Sequence, residues 1–170
     1  MFGDNLLPSG HSSRDDASLE VIRFSLVQDA DGWPPVSVES LWAAPLDAER
    51  GRLMNIPFFV TGVAAGDVIR TVWREGERWA ASIESRSGHY VIRLATFPDA
   101  RDQAWVSARI DEFEHMGLDC EGSGPPFWMV AVDIPPSADY ASIKRHLEDG
   151  ERRGLWEYEE ACVGAAWHDA

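Results

Sequence analysis

The chain has 170 residues, 45% of them apolar, with eight Trp and a net charge of −14. That apolar share excludes a disordered chain, and the lack of any apolar run of about 18 residues excludes a helical membrane span. The charge disfavours nucleic acid, whose phosphates it repels; it would attract a basic protein partner, or else serves only to keep the chain soluble.

Residues 1–18, beginning MFGDNLLPSG, have no apolar segment behind a basic start. They predict a flexible tail rather than a signal peptide. Without an export signal, Cys120 and Cys162 read as reduced thiols of a cytoplasmic protein. Neither has a neighbour at metal-ligand spacing, so no metal or cofactor is expected.

From Leu19 to Glu84 the apolar residues recur with period two. Ile22, Phe24 and Leu26 share one face of a first strand. "DADGWPP" then breaks the chain, because Asp31-Gly32 is a turn pair and Pro34-Pro35 fits no central strand. Val36, Val38 and Trp42 alternate into a second strand. "GRLMNIPFFV" predicts a third, with Ile56, Phe58 and Val60 on one face and Pro57 marking an edge or bulge. "VIRTVW" and "WAASIE" follow, joined by the hairpin turn "EGER", with Trp79, Ala81 and Ile83 alternating. Five short strands with Gly-rich turns predict a small antiparallel barrel over residues 19–87.

After Gly88 the rhythm changes. "HYVIRLATF" (89–97) reads as a strand, and Asp99 is placed to cap a helix running to about Met116. Val106, Ile110 and Phe113 give that helix its apolar stripe, and Gly117 closes it. "LDCE" is a short strand, "GSGPP" a loop and "FWMVAVDI" a strand. Pro135-Pro136-Ser137 opens a second helix striped by Tyr140, Ile143 and Leu147, and "LWEYEEACV" is the last strand. The order over 88–163 is β-α-β-β-α-β, the ferredoxin-like split βαβ. Residues 164–170 are left as a C-terminal tail. The expected fold is α+β: an N-terminal small antiparallel β-barrel-like subdomain packed on a C-terminal ferredoxin-like subdomain.

In the last strand, Trp156 and Tyr158 share one face and Glu157 and Glu159 the other. Aromatic rings bury about 150–250 Å² each, whereas an unpaired buried carboxylate is costly. The rings therefore face the helices and the acids face away. Tyr90, Ile92 and Leu94 form the apolar set of the first strand in this half; His89, Val91 and Arg93 form the mixed one. On the third strand Trp128, Val130, Val132 and Ile134 face the helices, leaving Phe127, Met129, Ala131 and Asp133 on the open face. That face carries His89, Arg93, Asp133, Glu157 and Glu159 around an apolar patch. One reading pairs Arg93 with a glutamate at the barrel–sheet junction and lets the acids guard a sheet edge. The other makes these residues the polar groups of a cleft between the halves.

Other patterns fail on spacing. Placing Gly32 sixth in a calcium loop puts Val27 first and Val38 twelfth, where oxygen ligands are required. Gly62 and Gly66 are too sparse for a phosphate cradle, and Ser87-Gly88-His89 lacks a nucleophile elbow. His11, His115, His146 and His168 have no ligand spacing. Asp67 reads as a turn cap. Trp33, a large aromatic inside a turn, reads either as packing over the barrel end or as an exposed anchor for a partner. Lys144, Arg145, Arg152 and Arg153 form a basic spot on a solvated face.

"DGWPPVSVESLW", "NIPFFVTGVAAGD", "SGHYVIR" and "GLWEYEEA", in that order, resemble the uncharacterised bacterial domain-of-unknown-function family numbered 4265. The resemblance spans residues 20–163 and implies a cytoplasmic, stand-alone bacterial domain. It brings no activity and no catalytic residues. The leading expectation is a non-catalytic binding protein, immunity-type or regulatory, that recognises a basic protein partner. The alternative is an enzyme or small-ligand binder using His89, Arg93, Glu157 and Glu159.

Overall fold

The structure is a computed structural model that describes residues 18–97 and 102–170. It is α+β and divides at Ser87/Gly88 into two compact units.

The first unit is a five-stranded closed barrel of β1 (Glu20–Ser25), β2 (Val38–Pro45), β3 (Arg50–Leu53), β4 (Val68–Arg74) and β5 (Glu77–Ser85). Successive strands pair antiparallel, and an odd number of them makes the closing β1–β5 pair parallel. The register fixes which side chains point inward. Ile22 lies opposite Leu41, and Ile69 opposite both Gly51 and Ile83. Ile22, Phe24, Leu41, Ala43, Leu53, Val63 and Ile69 form the barrel core. So small a barrel leaves no room at Gly51, where an added Cβ would stand 2.8 Å from Ile22 Cδ1. Glu75 and Gly76, at φ 52° and 83°, make the tight turn between β4 and β5.

Three expectations for this unit are corrected. In β2 the core side is Glu39, Leu41 and Ala43, not Val38 and Trp42, because β1 pairing sets the parity. Of "GRLMNIPFFV" only Gly51, Arg52 and Leu53 are strand, as the end of β3. Ile56, Phe58 and Phe59 are buried in the loop that follows, with adjacent Phe58 and Phe59 both inward as no strand allows. In β5 two register shifts break the alternation, so Arg78, Ala80 and Ile83 take the inner side instead of Trp79 and Ala81.

The second unit runs β6 (Tyr90–Ala95), α1 (Gln103–His115), β7 (Asp119–Ser123), β8 (Met129–Ile134), α2 (Tyr140–Arg152), β9 (Glu157–Cys162) and α3 (Ala165–His168). Its sheet order is β7-β8-β6-β9, all antiparallel. Ile92, Leu94, Val130, Val132 and Ile134 build a core with Val106, Phe113, Ile143, Leu147 and Trp156. Trp156 is fully buried and donates its indole N–H to Leu147 O at 3.1 Å. Tyr158 packs on the same core, while Glu157 and Glu159 are exposed, as the parity of the strand requires.

The helix starts and the chain end differ from expectation. Asp99 lies outside the described residues; Asp102 caps α1, accepting from Trp105 N at 2.7 Å. α2 begins after Asp139, which accepts from Ser142 N, rather than at Pro135. Trp128 precedes β8 at φ 36° and packs only partly against the core. The supposed tail contains α3, whose Trp167 is fully buried against Tyr90 and Tyr140. Glu160 keeps the parity of Trp156 and Tyr158, and its Oε1 accepts from Trp167 Nε1 at 2.8 Å; the bulge in β9 follows it, before Cys162 pairs with Val91.

Candidate functional site

Strand register sorts the helix-free side of the second sheet into rows. Glu121, Ala131, Arg93 and Glu159 lie across one row; Asp119, Asp133, Val91 and Cys162 across the next. Paired residues share a face, so five predicted site residues occupy this side or its rim. The structure joins four of them in two pairs. His89 Nδ1 stands 2.6 Å from Asp133 Oδ2, and Arg93 Nη1 donates to Glu159 Oε2 at 3.3 Å. Glu157 lies opposite Ala95 and is exposed. Trp33 belongs to the first unit. Its ring meets Phe59 edge-on at 5.7 Å, and 45% of the residue remains exposed. Asp29 Oδ1 fixes the Trp33 turn by accepting from Asp31 N and Trp33 N.

Within this set Asp133 is shifted by its surroundings. Burial pushes its carboxyl above the usual carboxylate range, and Asp119 pushes the same way; His89 opposes both. Its Oδ1 is buried with no hydrogen-bond partner among the described residues. Burial, aided by Glu114, Asp119 and Asp133, raises the Cys120 thiol to about 12. A thiol held protonated at neutral pH is a poor nucleophile. Behind β9, burial raises the Tyr158 phenol, helped by Glu151, Glu148 and Glu160. On α2 these carboxylates are interspersed with Lys144, Arg145 and Arg152.

Two polar groups that the sequence reading passed over organise the barrel. Glu39 lies opposite Phe24, toward one mouth. Its carboxylate accepts from Phe58 N at 2.6 Å, Phe59 N at 3.0 Å and Val60 N at 2.6 Å. Arg78 lies opposite Ile22 at the other end and pairs with Glu20. Its Nε and Nη2 donate to Thr71 Oγ1 at 3.2 and 3.1 Å, and Nη2 also to Asp47 O at 3.2 Å. The signal for both was parity, since Glu39 alternates with Leu41 and Ala43, and Arg78 with Ala80. Asp67 does cap its turn, accepting from Ala64 N at 3.1 Å and from Ser87 N at 2.7 Å.

Two cavities lie within single units. One, of about 330 Å³, opens at the Arg78 end of the barrel beside Glu20, Trp73 and Glu77. The other, of about 470 Å³, lies beside Leu118 and Pro135 where α1 ends and α2 begins. Its one carboxylate, Asp139, is already engaged as the α2 cap.

The family model described as "Domain of unknown function (DUF4265)" matches residues 39–158. A crystal structure of a hypothetical protein from Neisseria gonorrhoeae is similar in fold, with a TM-score of 0.68 at 18% identity. The match covers 87% of this chain and 97% of that one. No curated protein matches the chain.

Proposed function

The chain belongs to the DUF4265 family, and from that premise we propose that it is a non-catalytic acidic protein, immunity-type or regulatory, that recognises a basic protein partner. The observation that carries the reading is the net charge of −14. Exposed Glu157 and Glu159 on the helix-free side of β9, with exposed Glu160 on its other side, place part of that charge along this one edge strand. Complementary potential steers encounter and rejects like-charged partners. Within the same reading, the second unit is a ferredoxin-like split βαβ; the order β7-β8-β6-β9 with a crossover helix after β6 and after β8 supports it. The test is capture. Immobilised protein at low ionic strength is expected to retain a basic protein and release it as salt rises. Retention of no protein at low salt counts against the proposal.

A small-ligand site at the His89–Asp133 pair is the second reading. The unpartnered Oδ1 of buried Asp133 favours it. Asp133→Asn then abolishes ligand-induced stabilisation in a screen of small polar metabolites, while a variant that behaves like the parent removes this reading.

A further inference from the structure

The β4–β5 end of the barrel is built differently from the rest of its surface. Trp73 lies opposite Arg78 in register and is 58% exposed although its parity is that of Ile69 and Thr71, which point inward. It stands at the mouth of the barrel rather than inside it. Its indole N–H donates to Ala48 O at 3.2 Å, and the Arg78 guanidinium lies 5.8 Å from the ring centroid. Mouths of β-barrels are common ligand sites.

Charge is layered in this groove. The Arg78 and Arg23 side chains are 3% and 24% exposed; their partners Glu20 and Glu77 are 40% and 45% exposed. The cations sit below and the carboxylates stand above. Arg78 spends its donors on Glu20, Thr71 and Asp47 O, so it is not poised to take an anion. Each glutamate binds its arginine through one oxygen, Oε2 of Glu20 and Oε1 of Glu77. An entering group meets carboxylate oxygens, an exposed indole, Val21 and Gly76, with the Arg23 and Arg78 guanidiniums beneath, each already paired with a rim glutamate. That set suits a planar cation, which stacks on the ring while its N–H fork meets carboxylate.

We propose that the groove at Trp73, Glu20 and Glu77 is a docking site for an arginine side chain presented by a basic protein partner. This rests on the proposed function above and names the place of contact. The rim carboxylates supply charge complementarity. The exposed Trp, a residue type enriched among dominant interface contacts, supplies the anchor.

The test is an NMR titration of the full chain with the blocked tripeptide Gly-Arg-Gly. Gly-citrulline-Gly, the same shape without charge, and Gly-Glu-Gly serve as controls. The Trp73 indole N–H resonance is assigned by its loss in Trp73→Phe. The arginine peptide is expected to shift that resonance saturably, with the citrulline peptide binding about five-fold more weakly or worse. Glu77→Gln and Trp73→Ala should each weaken the arginine peptide by about three-fold or more. Glu77 is chosen because Glu20→Gln would unpair buried Arg78. The inference is overturned by an unmoved Trp73 resonance at millimolar peptide, by equal citrulline binding, or by tighter binding of Gly-Glu-Gly. A basic protein retained equally by the parent and by a Trp73→Ala/Glu77→Gln double variant also overturns this site, yet leaves the proposed function standing. Arginine-specific binding at Trp73 with no basic protein retained upholds the site and removes the function.

Discussion

Glu39 is a carboxylate on the core side of a barrel strand, 1% exposed, and its three backbone N–H donors explain how it is tolerated there. Hydrogen bonds to a charged group contribute about 1.5–3 kcal/mol each. Gln in its place keeps one acceptor oxygen and turns an amide N–H₂ toward another N–H. Glu39→Gln should therefore lower the unfolding free energy by about 3 kcal/mol, measured by urea denaturation. A loss below about 1 kcal/mol would mean that the 58–60 loop finds other acceptors. Asp133 makes a second prediction at this scale. Burial raises its carboxyl above the ordinary 3.8, so the folded protein binds that proton more readily than the unfolded chain. The stability linked to this proton is full below 3.8 and is lost as pH rises through the folded-state value. His89, Asp119 and Cys120 face the same carboxylate and are unchanged in Asp133→Asn. The stability of the parent relative to that variant should thus fall as pH rises from 3.8, read from urea midpoints at several pH values. A rising difference would mean that the His89 ion pair outweighs burial. Neither residue's role was fully legible in the sequence. Asp133 fell on the correct face because β8 alternates without interruption. Glu39 did not, because Val38 and Trp42 look more like core than the glutamate between Val38 and Ser40.

Elements carry the interplay between propensity and packing, and α2 shows which wins. Gly150 lies inside that helix, where Ala normally gains about 1 kcal/mol over Gly. Yet a Cβ at Gly150 would lie 1.8 Å from Trp156 Cζ2, and Trp156 is fully buried. Overpacking a well-filled core costs about 1–3 kcal/mol, occasionally more. Gly150→Ala should therefore destabilise the protein by about 2 kcal/mol, the reverse of the propensity rule. Unchanged or raised melting temperature would show that the indole has room to shift. The same contact explains why the parity of β9 was readable. Trp156 and Tyr158 have one side available to them, so Glu157 and Glu159 take the other. Parity failed where the chain breaks its own period. The register shifts in β5 and the 54–67 loop both present apolar residues that alternation assigns wrongly. α3 escaped for another reason. Four residues are too few to show helical periodicity, and Trp167 alone did not reveal that the core receives it.

At the scale of the whole molecule, the same charge acts on stability and on binding with opposite signs. At about 0.01 M salt the Debye length is about 30 Å, so the carboxylates repel one another across much of the molecule; at about 0.15 M it is about 8 Å. Salt also weakens ion pairs, and the barrel surface carries several. Arg50 bridges Asp47 and Glu84, and Arg70 bridges Glu49 and Glu84. Their side chains are 28–70% exposed, and such pairs contribute about 1 kcal/mol or less. General repulsion from a net charge of −14 should therefore decide the sign. The melting temperature should rise from low to physiological salt, measured by circular dichroism. A fall would assign the larger share to the Arg50–Glu84–Arg70 network. Over the same range the capture of a basic partner should weaken, because screening acts on attraction between molecules as it does on repulsion within one. Capture that strengthens with salt would point instead to an apolar contact, and the acidity would then serve solubility rather than recognition.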